Sequence, residues 1–275
     1  MPSIVVVPDE ALWFMPFAMM HDDAGSMLDR CTITMSPSLT VLDQLHRRVR
    51  AKDAVSRDGP ILVLANPSIA SSIGVKELAH ADEEAAIIKE LFPERAVVLT
   101  RSAATVDEFV KLAAGAAIIH VATHGGERDE PPDSRMTGSL LLAPNPELPA
   151  GGAESEASCY LSADRVADLD LSADLVVLSA CKSGYGEQCS DGVLGLSRAF
   201  LVAGAACVLV ASIAIDDYSS QRLMSEFYHA YREVPRAGRA LAVAQRRMRD
   251  AGLCVQDFAY FSVVGADLSD LDDDL

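Results

Sequence analysis

Two short stretches pair residue types capable of covalent chemistry with the backbone freedom that such chemistry needs. "AAIIHVATHGG" ends in His124, Gly125 and Gly126, and "LVVLSACKSG" runs through Ser179 and Ala180 to Cys181, with Gly184 after it. A thiol becomes a good nucleophile at neutral pH when a neighbouring imidazole, cation or helix N-terminus favours its thiolate. An imidazole can take the thiol proton and later return it to a leaving amine. Glycines after the histidine let the backbone turn and approach a ligand, and their N–H groups can face a developing oxyanion. His124 and Cys181 lie 57 positions apart, each at the end of an apolar run. If both runs are parallel strands of one sheet, their ends open on the same edge, where ligands bind in α/β folds. The expectation is a Cys–His dyad.

The other titratable residues read more plainly. His120 sits inside its apolar run and is expected to be a core histidine; His21, His46, His80 and His229 show no clear role. Cys31, Cys207 and Cys254 stand in apolar contexts, where cysteine behaves as a small hydrophobe. With no CxxC pair, neither a zinc site nor a dithiol redox motif is expected. Asp216 and Asp217 follow an apolar run and precede a helical pattern. They read first as a helix N-cap pair. The alternative is a carboxylate lining the pocket for a basic side chain before the scissile bond, with Asp191 as a further candidate.

The elements that must position these groups alternate. Apolar runs of strand length occur at Ile4–Val7, Cys31–Met35, Ile61–Ala65, Ala96–Leu99, Ala117–Ala122, Ser139–Leu142, Leu175–Leu178, Cys207–Ser212 and Tyr260–Val264. Several are uniformly apolar, as strands covered on both faces are. Helical spacing appears over Val75–Leu91, Val106–Ala114 with Thr105 as N-cap, Gly192–Ala203, Ser219–Arg232 and Ala237–Arg249. This alternation predicts an α/β fold with a mostly parallel sheet, as one domain over residues 1–275. The charged stretch Glu127–Gly138 and the Pro- and Gly-rich stretch Pro144–Ser158 read as surface loops. The 17-residue apolar stretch Ala199–Ile215 falls short of the ~20 residues that span a bilayer. It reads as a helix stopped by Gly204 and followed by a buried strand, so no membrane association is expected.

Half of the 275 residues are hydrophobic and the net charge is −17. That charge argues against nucleic acid and favours basic protein partners. The N-terminus lacks the basic and apolar regions of a signal peptide, and a cytoplasmic, reducing compartment is expected. A phosphate-binding reading of "LANPSIASSIG" has neither G-x-G-x-x-G nor G-K-[ST] behind it. A serine hydrolase reading has no G-x-S-x-G.

In the wider context, "VATHGG", "VVLSACKSG", "GVLGLSRAFLVAGAACVLVAS", "LMSEFYHA", "ALAVAQRRM" and "YFSVVG" occur in an order that resembles the CHAT family. These are caspase-like peptidase domains of the caspase–gingipain–separase clan, often fused to tetratricopeptide repeats. The opening "IVVVPDEALWFMPFAMM" and "TMSPSLTVLDQL" resemble the family's N-terminal part. The resemblance implies a caspase-like three-layer α/β sandwich, with His124 and Cys181 as the catalytic pair. It also implies an oxyanion hole from the N–H groups of Gly125 and Cys181, and thioester chemistry without a cofactor or metal. Its expected setting is a regulated processing protease in bacterial signalling or defence. The strand before Asp216 lacks a tryptophan often found in the family. No tetratricopeptide repeats are present, so the expected activator is a separate protein or a protease, with Arg135 as a candidate processing site. The loops following His124 and Cys181 are expected to gate a zymogen. The alternative is a catalytically silent interaction module of the same fold.

Overall fold

The computed structural model describes residues 2–51, 58–125, 138–179 and 190–267; the side chains of residues 71 and 190–194 are outside the description as well. Cys181, Arg135 and residues 268–275 therefore lie outside the described residues, as does the Asp191 side chain.

The chain opens with β1 (Ser3–Val6), a small hairpin β2 (His21–Asp22) and β3 (Gly25–Ser26), α1 (Met27–Arg30) and β4 (Thr32–Met35). There follow α2 (Leu39–Ala51), β5 (Ile61–Pro67), α3 (Ala81–Leu91), β6 (Ala96–Arg101), α4 (Val106–Ala113) and β7 (Ile118–Ala122). Next come β8 (Ser139–Leu141), α5 (Ala153–Ala157), β9 (Tyr160–Ser162), α6 (Ala163–Ala167), β10 (Leu175–Leu178) and α7 (Ser190–Ala203). β11 (Cys207–Ala211), α8 (Asp217–Glu233), α9 (Ala237–Asp250) and β12 (Phe261–Gly265) complete the order.

Among the described residues, eight strands form one sheet in the order β1-β4-β12-β11-β10-β7-β5-β6. Every neighbouring pair is parallel except β11 with β12. The central strands are apolar on both sides because both faces are covered. In β7, Ile119 and Val121 join a cluster with Leu45 and Val49 of α2, Phe109 of α4, Val166 of α6 and Phe200 of α7. Ile118 and Ala122 join the opposite cluster with Ile88 of α3, Phe227 of α8 and Leu241 of α9. The result is the expected three-layer sandwich. No helix among the described residues is long and apolar enough to cross a membrane.

Local chemistry sets several element ends. The Thr105 hydroxyl accepts from Glu108 N at 3.2 Å and starts α4, as its sequence position predicts. Gly204 (φ +121°) ends α7 and lets the chain enter β11. A side chain there would run into the Leu171 carbonyl. Gly204→Ala combines that clash with a backbone conformation L-residues avoid, so thermal or denaturant unfolding is expected to show a loss of about 3 kcal/mol.

Several elements differ from the sequence reading. The helix expected from Val75 begins at Ala81, and residues 75–80 are an irregular connection that ends in a turn at 79–80. The stretch read as a loop over 144–158 contains the short helix α5. α2 and β9 carry no clear apolar run and were not expected. α2 buries little besides Leu45 and Val49, and β9 has only three residues.

Candidate active site

β7 and β10 are adjacent and parallel, with Leu175 opposite Ile118, Val177 opposite His120 and Leu178 opposite Val121. Ser179 N extends the pairing by donating to Val121 O at 3.0 Å. The register offset is thus 57 positions, the same as separates His124 from Cys181 in the sequence.

His124 stands just beyond the end of β7 and is 7% exposed. β8 fixes its backbone. Leu141 N donates to His124 O at 2.9 Å, and the Thr123 hydroxyl donates to Leu141 O. Gly125 bridges to Leu140 in the antiparallel sense. The Leu141-to-His124 bond flanks that bridge, which is the pattern of a pair that does not exchange bonds directly. The Gly125 N–H accordingly turns away from β8.

The imidazole itself is oriented by the irregular connection before α3. Its Nε2 lies 2.6 Å from Lys76 O. A carbonyl can only accept, so Nε2 carries the proton. In the neutral ring the lone pair then resides on Nδ1. Residues 66–69 and 75–78 together with His124 line a small cavity of about 110 Å³.

Four residues earlier on the same face, His120 has a different environment. It is fully buried, with Nε2 3.0 Å from Glu84 Oε2 and Nδ1 3.1 Å from the Tyr228 hydroxyl. Nε2 and Oε2 are close without the alignment of a hydrogen bond, and neither has a hydrogen-bond partner among the described residues. The other Glu84 oxygen accepts from the Ser179 hydroxyl at 2.9 Å. Burial, followed by the nearby Glu84 carboxylate, pushes the Tyr228 phenol well above its usual pKa, so it remains a neutral hydroxyl. His120 is therefore a core histidine, as its neighbours in the sequence imply. The carboxylate that accompanies it was not foreseen. Glu84 sits in a run of three consecutive acids, "DEE", where nothing in the sequence singles one out as buried.

At the same sheet edge Asp216 takes the expected cap position, whereas the Asp217 side chain bonds outside α8. Asp216 Oδ1 accepts from Ser219 N at 3.0 Å and starts α8. Asp217 Oδ2 accepts from His80 N at 2.8 Å, tying α8 to the connection that carries Lys76. Neither side chain is among those lining the cavity beside His124.

A family model described as the CHAT domain matches residues 1–262. Tetratricopeptide repeat protein 28 of Mus musculus is 28% identical across 97% of this chain, and that of Homo sapiens is 26% identical across the same share. The chain spans 12% of the length of each of these relatives. Among solved structures, the Saccharomyces cerevisiae separase–securin complex superposes with a TM-score of 0.60 at 12% identity, covering 96% of this chain and 15% of that one. The complex of pro- and mature domains of Porphyromonas gingivalis RgpB superposes with a TM-score of 0.53 at 12% identity, covering 86% of this chain and 55% of that one. RgpB is the Arg-specific cysteine proteinase gingipain R. At these identities the likeness is one of fold: the three-layer sandwich is that of caspase-like cysteine peptidases.

Proposed function

Because the chain belongs to the CHAT domain family, we propose that it is a cysteine endopeptidase in which His124 is the general base and Cys181 the nucleophile. The observation that carries this reading is the contact between His124 Nε2 and the Lys76 carbonyl. It commits one ring nitrogen to a structural acceptor and leaves basicity on the other. The shared offset of 57 positions supports the pairing, since continuing the β7–β10 register would bring position 181 opposite position 124.

In this mechanism the Cys181 thiol gives its proton to His124 Nδ1. The sulfur attacks the scissile carbonyl carbon, and the carbonyl π electrons move to oxygen. The N–H groups of Gly125 and Cys181 receive that oxyanion. On collapse, the C–N bond breaks and Nδ1–H protonates the departing amine. Water, deprotonated by the same nitrogen, then hydrolyses the thioester and regenerates the thiol. The Lys76 carbonyl acts throughout by accepting from Nε2–H and favouring the imidazolium.

The substrate is a protein cleaved after Lys or Arg. Asp216, exposed at the end of the β11 connection, is the first candidate to receive that cation, with its neighbour Asp217 and, ten positions past Cys181, Asp191 as further candidates. The cap bond to Ser219 N is made by Asp216 Oδ1, and the other carboxylate oxygen is the one offered to a guanidinium. The enzyme is switched by a separate protein or by proteolysis, and the net charge of −17 favours a basic partner.

Labelling with acyloxymethyl ketones tests nucleophile and pocket together. An Arg- or Lys-bearing reagent is expected to modify Cys181 about tenfold faster than an Asp-bearing one, with Asp216→Asn reducing the preference. No labelling at Cys181 by any reagent, even after the chain is cleaved or given its partner, would instead favour the interaction-module reading. Selective labelling by the Asp reagent would reject the basic preference while keeping the peptidase.

A further inference from the structure

The geometry points to Asn66 as a positioning residue that holds the Lys76 carbonyl against His124. This rests on the reading of His124 as the general base.

Lys76 belongs to the connection over residues 75–80, which helical spacing alone would have made part of α3. Its neighbours are tethered from three directions. Asn66 Oδ1 accepts from Leu78 N at 3.3 Å. Arg101 Nη1 reaches Glu77 Oε2 at 3.1 Å. Asp217 Oδ2 accepts from His80 N at 2.8 Å. Asn66 is the hub of the first two. Its Nδ2 donates to Asp82 Oδ2 at 2.9 Å, and Arg101 Nη2 binds the same oxygen at 2.7 Å.

Both inner residues adopt a conformation that L-residues seldom take: Asn66 has φ +45° and Arg101 φ +53°. Asn66 lies at the irregularity where the β5–β6 register shifts, between Ala65 and Pro67. An irregularity of this kind re-aims a side chain. Among non-glycine residues asparagine tolerates this backbone best. It also offers an acceptor for Leu78 and a donor for Asp82 at once. Aspartate would lack the donor and repel Asp82. The Asn66 strain sits at the end of β5, the strand next to β7, in a buried residue (2% exposed) that lines the same cavity as His124. Backbone strain of this kind persists where surrounding contacts over-determine it, commonly beside functional groups.

The test uses the full chain with 15N-labelled histidine. Wild-type His124 is expected as a single Nε2–H tautomer. Asn66→Gly removes the side chain but accommodates the positive φ, and Asn66→Asp keeps the shape. Both are expected to give His124 a mixture of tautomers. Both should also lower turnover about tenfold with KM within twofold, because small misplacements of a catalytic group have effects of this order or larger. A purely structural role would move the melting temperature and leave tautomer and turnover alone. That result, or a single Nε2–H tautomer in both variants, overturns the assignment of Asn66 while leaving the peptidase reading intact. Mixed tautomers in variants of a chain that cleaves and labels with nothing would uphold the positioning role and sink the peptidase reading.

Discussion

Replacing His124 with alanine is expected to lower peptide hydrolysis about a thousandfold while leaving the fold in place, since a positioned acid–base group contributes roughly 10²–10⁴. The ring lies beyond the end of β7 and belongs to neither apolar cluster. Its loss removes the acceptor for the thiol proton and the donor for the leaving amine, with little effect on packing. The backbone bonds from β8 to residues 123 and 124 include Leu141 N to His124 O, which does not depend on the side chain. Turnover measured against a peptide with a basic residue at the cleavage site, alongside the melting temperature, checks both halves. A loss of activity matched by unfolding would contradict the account. So would activity that survives the substitution.

His120 is expected to behave in the opposite way. The two histidines are four residues apart on one face of one strand, yet only His120 is sealed under α3 and α8. Removing its ring by His120→Ala leaves the Glu84 carboxylate buried beside Ser179 alone, with a cavity next to Tyr228. Breaking a buried pair from one side costs about 3–5 kcal/mol, and denaturant unfolding is expected to show a loss of that size. The companion variant is His120→Leu with Glu84→Leu. It removes both polar groups, so it is expected to be more stable than either single leucine variant. A double variant less stable than both singles would mean that the polar pair itself favours the folded state, contrary to this account.

The central strands were legible because burial on both faces keeps them largely apolar. Leu175–Leu178 matches its sequence run residue for residue, and the runs at Ile61 and Ala96 extend by two residues into β5 and β6. His124 stood out because a polar residue and two glycines interrupt such a run at its end. The surroundings of His124 were not legible, for a physical reason. They are made by partners distant in sequence: Lys76 O reaches a ring 48 positions away, and Asp217 captures His80 N across 137. These competing bonds take the backbone of residues 75–80 out of helix, although its apolar spacing suits one. Asn66 in "LANPS" shows only a turn-forming residue before proline; its strained backbone and two side-chain bonds appear only once β5, β6 and α3 are packed together. Glu84 was hidden similarly, as one of three consecutive acids of which it alone is buried to 2% exposure.

The most direct test of the central claim, that the imidazole at position 124 activates the thiol at position 181, needs no substrate. Iodoacetamide alkylation is followed at pH 6 by peptide mass spectrometry, which separates Cys181 from the other five cysteines. Cys181 of the wild-type chain is expected to react about a hundredfold faster than in His124→Ala, because a partnered imidazole favours the thiolate. Equal rates in the two proteins, both matching an ordinary exposed thiol, would contradict the dyad.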